Sequence, residues 1–326
     1  GIGYACFSSL FWGNQFFHIG TKLYHMNPEA DTPTMTELFS GVPAVRGTFF
    51  RYGDYLMYKT RGAYIQISYN STTDTFLATN VVAYVPIIQL NTAPSTGAGD
   101  AYQPENRLSP QKIVKFNAAA VDDEVSFTGD GSTTSFSLGY TSADVLGRVK
   151  YVSVNGTQIS AALYTVDLAT GKVTFITAPT AGEAIIVYFT VNTLVYTLPV
   201  MDIDSIDSVT VDGVTWANYT ADVMTGVVTF TGKAPPTTYP ATDNTVVVKY
   251  TKADVGAYNS VMDCRYAVTY GGNTDMCIVV GGCPVQPSAY FWSGNDNLSM
   301  NPGYFPYTSY NFAGDTEETI TGFGKQ

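Results

Sequence analysis

Hydrophobic and polar positions alternate along most of the chain, with a period near two. Ala63-Tyr64-Ile65-Gln66-Ile67-Ser68 shows this most openly, and such alternation marks a strand with one face buried. Phe16 to Ile19 and Lys22 to Tyr24 read as two short strands around Gly20. Thr48 to Tyr52 and Tyr55 to Tyr58 read as a hairpin turning at Gly53-Asp54, a dipeptide suited to positive φ at its first position. The theme returns from Val261 to Val280, across a turn at Gly271-Gly272-Asn273. No window carries apolar residues at i, i+3, i+4 and i+7 over three turns between two caps, so helices are not expected.

Residues 119–253 hold a two-fold internal repeat. The first copy runs Val152-Ser153-Val154-Asn155-Gly156, Tyr164-Thr165-Val166-Asp167, Thr170-Gly171-Lys172-Val173-Thr174-Phe175, Ala178-Pro179. The second runs Val209-Thr210-Val211-Asp212-Gly213, Tyr219-Thr220-Ala221-Asp222, Thr225-Gly226-Val227-Val228-Thr229-Phe230, Ala234-Pro235. Each copy opens with a short apolar strand (Ser135 to Leu138, Val195 to Leu198) and closes with a longer one (Ile185 to Phe189, Val246 to Tyr250). Asn-Gly and Asp-Gly specify tight hairpins. Each copy is therefore expected to be a small β-sandwich of four or five strands, or the two to pair into one.

The flanking regions, 1–118 and 254–326, share a different grammar of strand, Gly turn and strand. Repeated sheets of short antiparallel strands point to propeller blades, and the flanks hold enough chain for about four. The expected fold is all-β. It comprises a propeller-like platform, closed or incomplete, from 1–118 and 254–326, carrying an insertion of two sandwich modules, 119–192 and 193–253. Both chain ends read as ongoing strands, as in a piece of a longer polypeptide.

Composition supports strands and removes several functions. The 24 Tyr and 18 Phe, with abundant Val and Thr, are side chains that suit a pleated surface. Charged residues are only 13%, about half the usual share. The net charge of -11 argues against a groove that grips phosphates, though it suits a wide lumen through which DNA slides without adhering. Cys6, Cys264, Cys277 and Cys283 form neither a CxxC pair nor a disulfide framework and read as buried thiols. The remaining way to use them is a Cys277–Cys283 bridge across a hairpin. No stretch reaches the length of a membrane span, and the apolar N-terminus lacks the basic segment of a signal peptide.

Candidate chemistry is sparse. His18 and His25, the two histidines, have no nucleophile nearby in the pattern and read as strand or turn residues. Asp202, Asp204 and Asp207 lack the Gly and terminal Glu of a calcium loop and read as charges on a strand edge. Asp122, Asp123 and Glu124, like Asp315, Glu317 and Glu318, would serve glycoside hydrolysis only if paired across a cleft. Thr128-Gly129-Asp130-Gly131 leads into a strand and so is no phosphate loop. Sequons at Asn70, Asn155, Asn218 and Asn297 are within chance for so Ser/Thr-rich a chain. No enzyme activity, cofactor or metal is expected. The aromatic tracts Tyr290-Phe291-Trp292 and Tyr304-Phe305-Pro306-Tyr307 are read two ways. They either fill the space between sheets or present Trp292, Tyr304 and Phe305 as an interaction surface for a sugar or protein.

Several short motifs resemble a family. Gly20-Thr21-Lys22-Leu23-Tyr24, Gly41-Val42-Pro43 with Arg46, Tyr84-Val85-Pro86 and Leu108-Ser109-Pro110 precede the insertion. Val268-Thr269-Tyr270-Gly271-Gly272-Asn273, Phe291-Trp292-Ser293-Gly294-Asn295, Pro302-Gly303-Tyr304-Phe305-Pro306 and Ile320-Thr321-Gly322-Phe323 follow it. Together they resemble the β-propeller tail-hub or nozzle proteins of bacteriophages, which include packaged-DNA stabilisation proteins. Gly129-Asp130-Gly131-Ser132-Thr133-Thr134-Ser135-Phe136 resembles the start of β-modules in phage tail and fibre proteins. The sequence departs from that family in carrying two inserted modules where one is expected. The resemblance implies a structural virion protein located in the phage tail. It would be a hexameric ring around the DNA channel, bound to other tail or portal-proximal proteins, with no catalytic residue. The alternatives are a carbohydrate-binding adhesin or receptor-binding fibre protein, resting on Trp292, Tyr304 and Phe305, and a glycan-cleaving propeller enzyme.

Overall fold

The glycine turns that punctuate the sequence close hairpins, and the hairpins assemble into sheets. A computed structural model describes residues 2–89, 103–117, 121–142, 145–232, 235, 245–272, 276–295, 301–315 and 318–324. Strands β1 (Gly3–Phe11), β2 (Asn14–Ile19), β3 (Lys22–Met26) and β4 (Thr36–Ser40) form sheet 1, an antiparallel meander in chain order. Strands β5 (Gly47–Tyr52), β6 (Tyr55–Thr60), β7 (Ala63–Asn70) and β8 (Thr75–Asn80) form sheet 2 in the same way. Gly20, Gly53 and Gly62 hold the positive φ that their turns require.

Sheet 2 buries both faces. Leu56, Tyr58, Ile65 and Ile67 meet Phe11, Phe16 and Leu23 of sheet 1, while Phe50, Tyr52, Met57 and Tyr64 join the core on the other side. Five consecutive residues of β6, Leu56 to Thr60, are therefore buried, as expected for a strand covered on both sides.

The next strands, β9 (Ile87–Gln89) and β10 (Gln111–Asn117), pair in parallel. Module 1 follows with β11 (Val121–Thr128), β12 (Ser135–Ser137), β13 (Leu146–Val154), β14 (Thr157–Gln158), β15 (Tyr164–Asp167), β16 (Lys172–Phe175) and β17 (Ala184–Val191). Its sheets, β11-β17-β13-β14 and β12-β16-β15, enclose Phe136, Leu146, Val152, Val173, Phe175, Ile185, Val187 and Phe189. Module 2 contains β18 (Val195–Thr197), β19 (Ser205–Val211), β20 (Val214–Thr215), β21 (Tyr219–Asp222), β22 (Val227–Phe230) and β23 (Thr245–Thr251). Its sheets are β20-β19-β23-β10-β9 and β18-β22-β21.

The two modules match position by position. Phe136, Val152, Phe175, Val187 and Phe189 of the first core correspond to Tyr196, Val209, Phe230, Val248 and Tyr250 of the second. Both hairpins at Asn155-Gly156 and Asp212-Gly213 carry positive φ at both turn residues, the geometry of a type I′ turn. Asp167 Oδ1 accepts from the Ala169 and Thr170 amides, and Asp222 Oδ1 from the Met224 and Thr225 amides. The carbonyls of the closing Gly171 and Gly226 then accept from the Leu138 and Leu198 amides, each at 2.8 Å.

A Cβ on Gly171 would overlap the Tyr140 carbonyl oxygen, and φ there is +62°. Gly171→Ala is therefore expected to cost about 3 kcal/mol in urea denaturation of the full chain, from backbone strain plus overlap. Gly156→Ala, equally left-handed at +77° but in open space, should cost only about 1 kcal/mol.

The modules are nested, whereas the repeat reads as a tandem of 119–192 and 193–253. In module 1 the outer neighbour of β17 is β11; in module 2 the outer neighbour of β23 is β10, which precedes module 1 in the chain. Val114 and Phe116 of β10 complete the second core. Module 1 thus interrupts module 2 between β10 and β18. Accordingly the chain divides into one unit of 1–86, 103–112 and 253–326 and another of 87–102 and 113–252, where the sequence boundaries were placed at 118/119 and 253/254.

The chain then enters α1 (Val255–Met262), where a strand is expected from Val261. Asp254 Oδ1 accepts from the Ala257 amide at 2.8 Å and caps the helix. Sheet 3 follows: β24 (Tyr266–Tyr270), β25 (Cys277–Gly281), β26 (Ala289–Trp292) and β27 (Tyr310–Phe312), again a meander in chain order. Its inner residues Ala267, Ile278, Val280, Ala289 and Phe291 share a core with Tyr52, Met57 and Tyr64 of sheet 2. Among the described residues the protein is all-β apart from α1 and one short 3-10 turn. Among the described residues the flanking regions hold three four-stranded sheets rather than about four, because 81–86, 103–110, 313–315 and 318–324 run largely outside strands.

Candidate functional site

Of the three aromatic residues expected at a surface, the fold puts two inside. Tyr304 is 2% exposed and Phe305 is fully buried. The Tyr304 hydroxyl donates to the Pro104 carbonyl at 2.8 Å, and its ring lies 5.0 Å from that of Tyr84. Phe305 packs edge-on to Tyr64 of sheet 2. Neither can stack on a sugar; the reading of these tracts as filling between sheets holds for both. Arg107 fastens the same region, lying over the Phe291, Tyr307 and Tyr310 rings at 4.9, 4.9 and 5.2 Å.

Trp292 behaves differently. Alternation along β26 turns Phe291 into the core and Trp292 to the opposite face. There Val268, Val279 and Trp292 form one cross-strand row. With Tyr270, Cys277, Tyr290, Ala313 and Phe323 they line a groove of about 580 Å³ on the outer face of sheet 3. Tyr270 is 71% exposed at its rim. Among the described residues the lining is apolar, and no carboxylate or amide side chain belongs to it. Sugar sites need such groups to receive hydroxyls, so the groove suits an apolar protein surface better than a glycan.

The outer face of sheet 1 is also partly apolar. Register places Cys6, Phe17, Tyr24 and Glu37 in one outward row, while their neighbours Ala5, Phe16 and Leu23 turn to the core. Cys6 is exposed, contrary to the expectation of four buried thiols, because it falls on this row. Cys264 and Cys283 are buried, and no disulfide joins any of the four.

The remaining candidates are held in local structure. His18 is buried, and its Nδ1 is 2.6 Å from the Tyr58 hydroxyl. His25 Nδ1 is 3.0 Å from Asn14 Oδ1. Burial lowers both imidazole pKa values. Asp207 accepts from Ser205 and Thr251 hydroxyls. Asp122 pairs with Lys150 at 2.9 Å on the exposed face of β11, and Asp123 accepts from Tyr140. Asp130 accepts from Thr133 Oγ1 and the Thr133 and Ser132 amides, which lower its pKa. It closes a turn, as its Gly-rich context suggests. Asn273, Asn297 and Glu317 lie outside the described residues. Among the described residues no three His, Cys, Asp or Glu side chains gather as a metal set, and no helix is long and apolar enough to cross a membrane.

The chain matches no family model and no curated protein.

Proposed function

We propose that this chain is a structural protein of a phage tail hub or nozzle. It would form a ring around the DNA channel and a platform for other tail proteins. The observation that carries the reading is the sheet stack of the 1–86, 103–112 and 253–326 unit. Three meander sheets follow one another, the middle one buried on both faces and the outer two each keeping a partly apolar face. Successive meander sheets stacked this way suit propeller blades, and the motif resemblance points the same way.

An open stack calls for continuation. The Trp292 face of sheet 3 in one copy would receive the Phe17–Tyr24 face of sheet 1 in the next. Such a head-to-tail contact builds a ring wherever the rotation closes. Rigid sheets with paired backbone groups make a durable wall, and the net charge of -11 would keep DNA from adhering to the lumen.

Negative-stain electron microscopy with a solution mass tests this. Rings with a central channel and the mass of a hexamer are expected. Trp292→Asp should shift the mass to a monomer while leaving the circular dichroism spectrum unchanged, since a charge in the contact opposes burial. A wild-type monomer or a trimeric rod would overturn the ring. The adhesin reading now retains Trp292 alone, and glycan-array binding lost in Trp292→Ala would revive it.

A further inference from the structure

The first strands of the three meander sheets converge on a second cavity. Tyr4, Ala5 and Cys6 come from β1; Arg46, Gly47, Thr48 and Phe49 from the start of β5; Arg265 and Tyr266 from the start of β24. The volume is about 310 Å³. In a chain with 16 basic and 27 acidic residues, two arginines line this wall and, among the described residues, no Asp or Glu does. Among the described residues no ion pair occupies either arginine. Arg265 lies 5.4 Å from the centre of the Tyr266 ring, a cation–π contact that limits its directions. Thr48 and Tyr4 add hydroxyl groups to the lining. Gly47 must lack a side chain here, because a Cβ would run into the Tyr58 hydroxyl.

We propose that this cavity binds a phosphate oxyanion through Arg46 and Arg265. Two like-charged residues lining one cavity repel each other and are each stabilised by the same anion. Guanidinium presents donors in a planar fork that matches phosphate oxygens, with charge-assisted hydrogen bonds. The volume leaves room for the group that bears the phosphate, whether an isolated phosphate ester or the phosphodiester of a nucleic acid. The inference stands apart from the assembly reading, since the cavity lies within one chain.

Isothermal titration of the full chain with inorganic phosphate at low ionic strength tests it, using chloride of equal ionic strength as the control. Saturable binding is expected, weakened about tenfold or more by Arg46→Gln or Arg265→Gln. Arg265→Lys keeps the charge without the fork and should fall between the two. Circular dichroism confirms folding of each variant. No saturable phosphate binding, or equal binding in wild type and both glutamine variants, would overturn the site. A short single-stranded oligonucleotide separates the sources. Displacement of phosphate by it, with a salt-dependent affinity lost in Arg46→Gln, assigns a phosphodiester; phosphate binding that it leaves unaltered assigns a smaller ester.

Discussion

Asn106→Ala is expected to destabilise the sheet-stack unit by about 4 kcal/mol or more. Asn106 is fully buried, and its amide makes four hydrogen bonds to backbone. Nδ2 donates to the Tyr84 and Gly303 carbonyls, both at 2.7 Å. Oδ1 accepts from the Phe305 amide at 2.8 Å and the Leu108 amide at 3.1 Å. One side chain thus joins three segments far apart in the chain. Alanine strands three backbone groups, the Tyr84 carbonyl and the Phe305 and Leu108 amides, while the Gly303 carbonyl still accepts from the Tyr84 amide at 3.0 Å. Each buried orphan costs roughly 1–3 kcal/mol before water or relaxation recovers part of it. Asn106→Asp separates the two halves of the arrangement. Its carboxylate keeps both acceptor bonds but faces two carbonyl oxygens, so the loss at neutral pH should match or exceed that of alanine. Protonation restores one donor, so stability of this variant should recover in part as pH falls. Urea denaturation across pH measures both. A loss below about 1 kcal/mol for Asn106→Ala would show that the three segments are held by packing instead.

The sequence announces the parts of this fold that depend on neighbours in the chain. Asn155-Gly156 and Asp212-Gly213 specify their turns locally, and the paired Asp-Thr-Gly closures at 167–171 and 222–226 make two copies of one module visible before any contact is known. What depends on distant partners is silent. The strand Gln111–Asn117 alternates like many others, and nothing in it says that its neighbour is β23 rather than β11; the nesting of the modules follows from that one pairing. The burial of Tyr304 and Phe305 depends on Asn106 and Pro104, whereas adjacent alternation suffices to turn Trp292 outward. Helix α1 escapes a periodicity search because it has only eight residues, too few for a moment to accumulate, and its signal is the capping Asp254. The Arg46 and Arg265 cavity is invisible for the same reason as the Asn106 cluster: the fold alone brings the two together.

Lys59→Met is expected to cost about 3 kcal/mol and to abolish a rise in stability with pH. Lys59 is fully buried on β6, with no side-chain carboxylate bonded to it among the described residues. Its ammonium instead donates to three carbonyls: Thr60 at 2.6 Å, Met262 at 2.8 Å and Cys264 at 2.9 Å. Met262 is the last residue of α1, so the charge also meets the negative end of the helix. Methionine fills most of the space but removes this donor from all three carbonyls, of which Met262 still accepts from the Gly62 amide at 2.9 Å; that sets the size of the loss. Burial nevertheless outweighs the carbonyls and lowers the Lys59 pKa to about 8, against about 10.4 for an exposed lysine. Between those values the unfolded chain holds a proton that the folded chain has released. Stability therefore rises with pH through that window. From pH 8 to 10 the wild type should gain about 2–3 kcal/mol from this group. The buried tyrosines act in the opposite sense at higher pH. Tyr58 and Tyr64 have raised pKa values because burial disfavours phenolate, so the unfolded chain ionises first and stability falls beyond about pH 10. Burial also pushes the Cys264 thiol up to about 12, so its ionisation in the unfolded chain opposes the gain from about pH 8.5. The expected pattern in chemical denaturation is a stability difference between wild type and Lys59→Met that grows by about 2–3 kcal/mol from pH 8 to 10. A difference between the two proteins that stays level from pH 8 to 10 would show that the three carbonyls hold the ammonium at an ordinary pKa despite its burial.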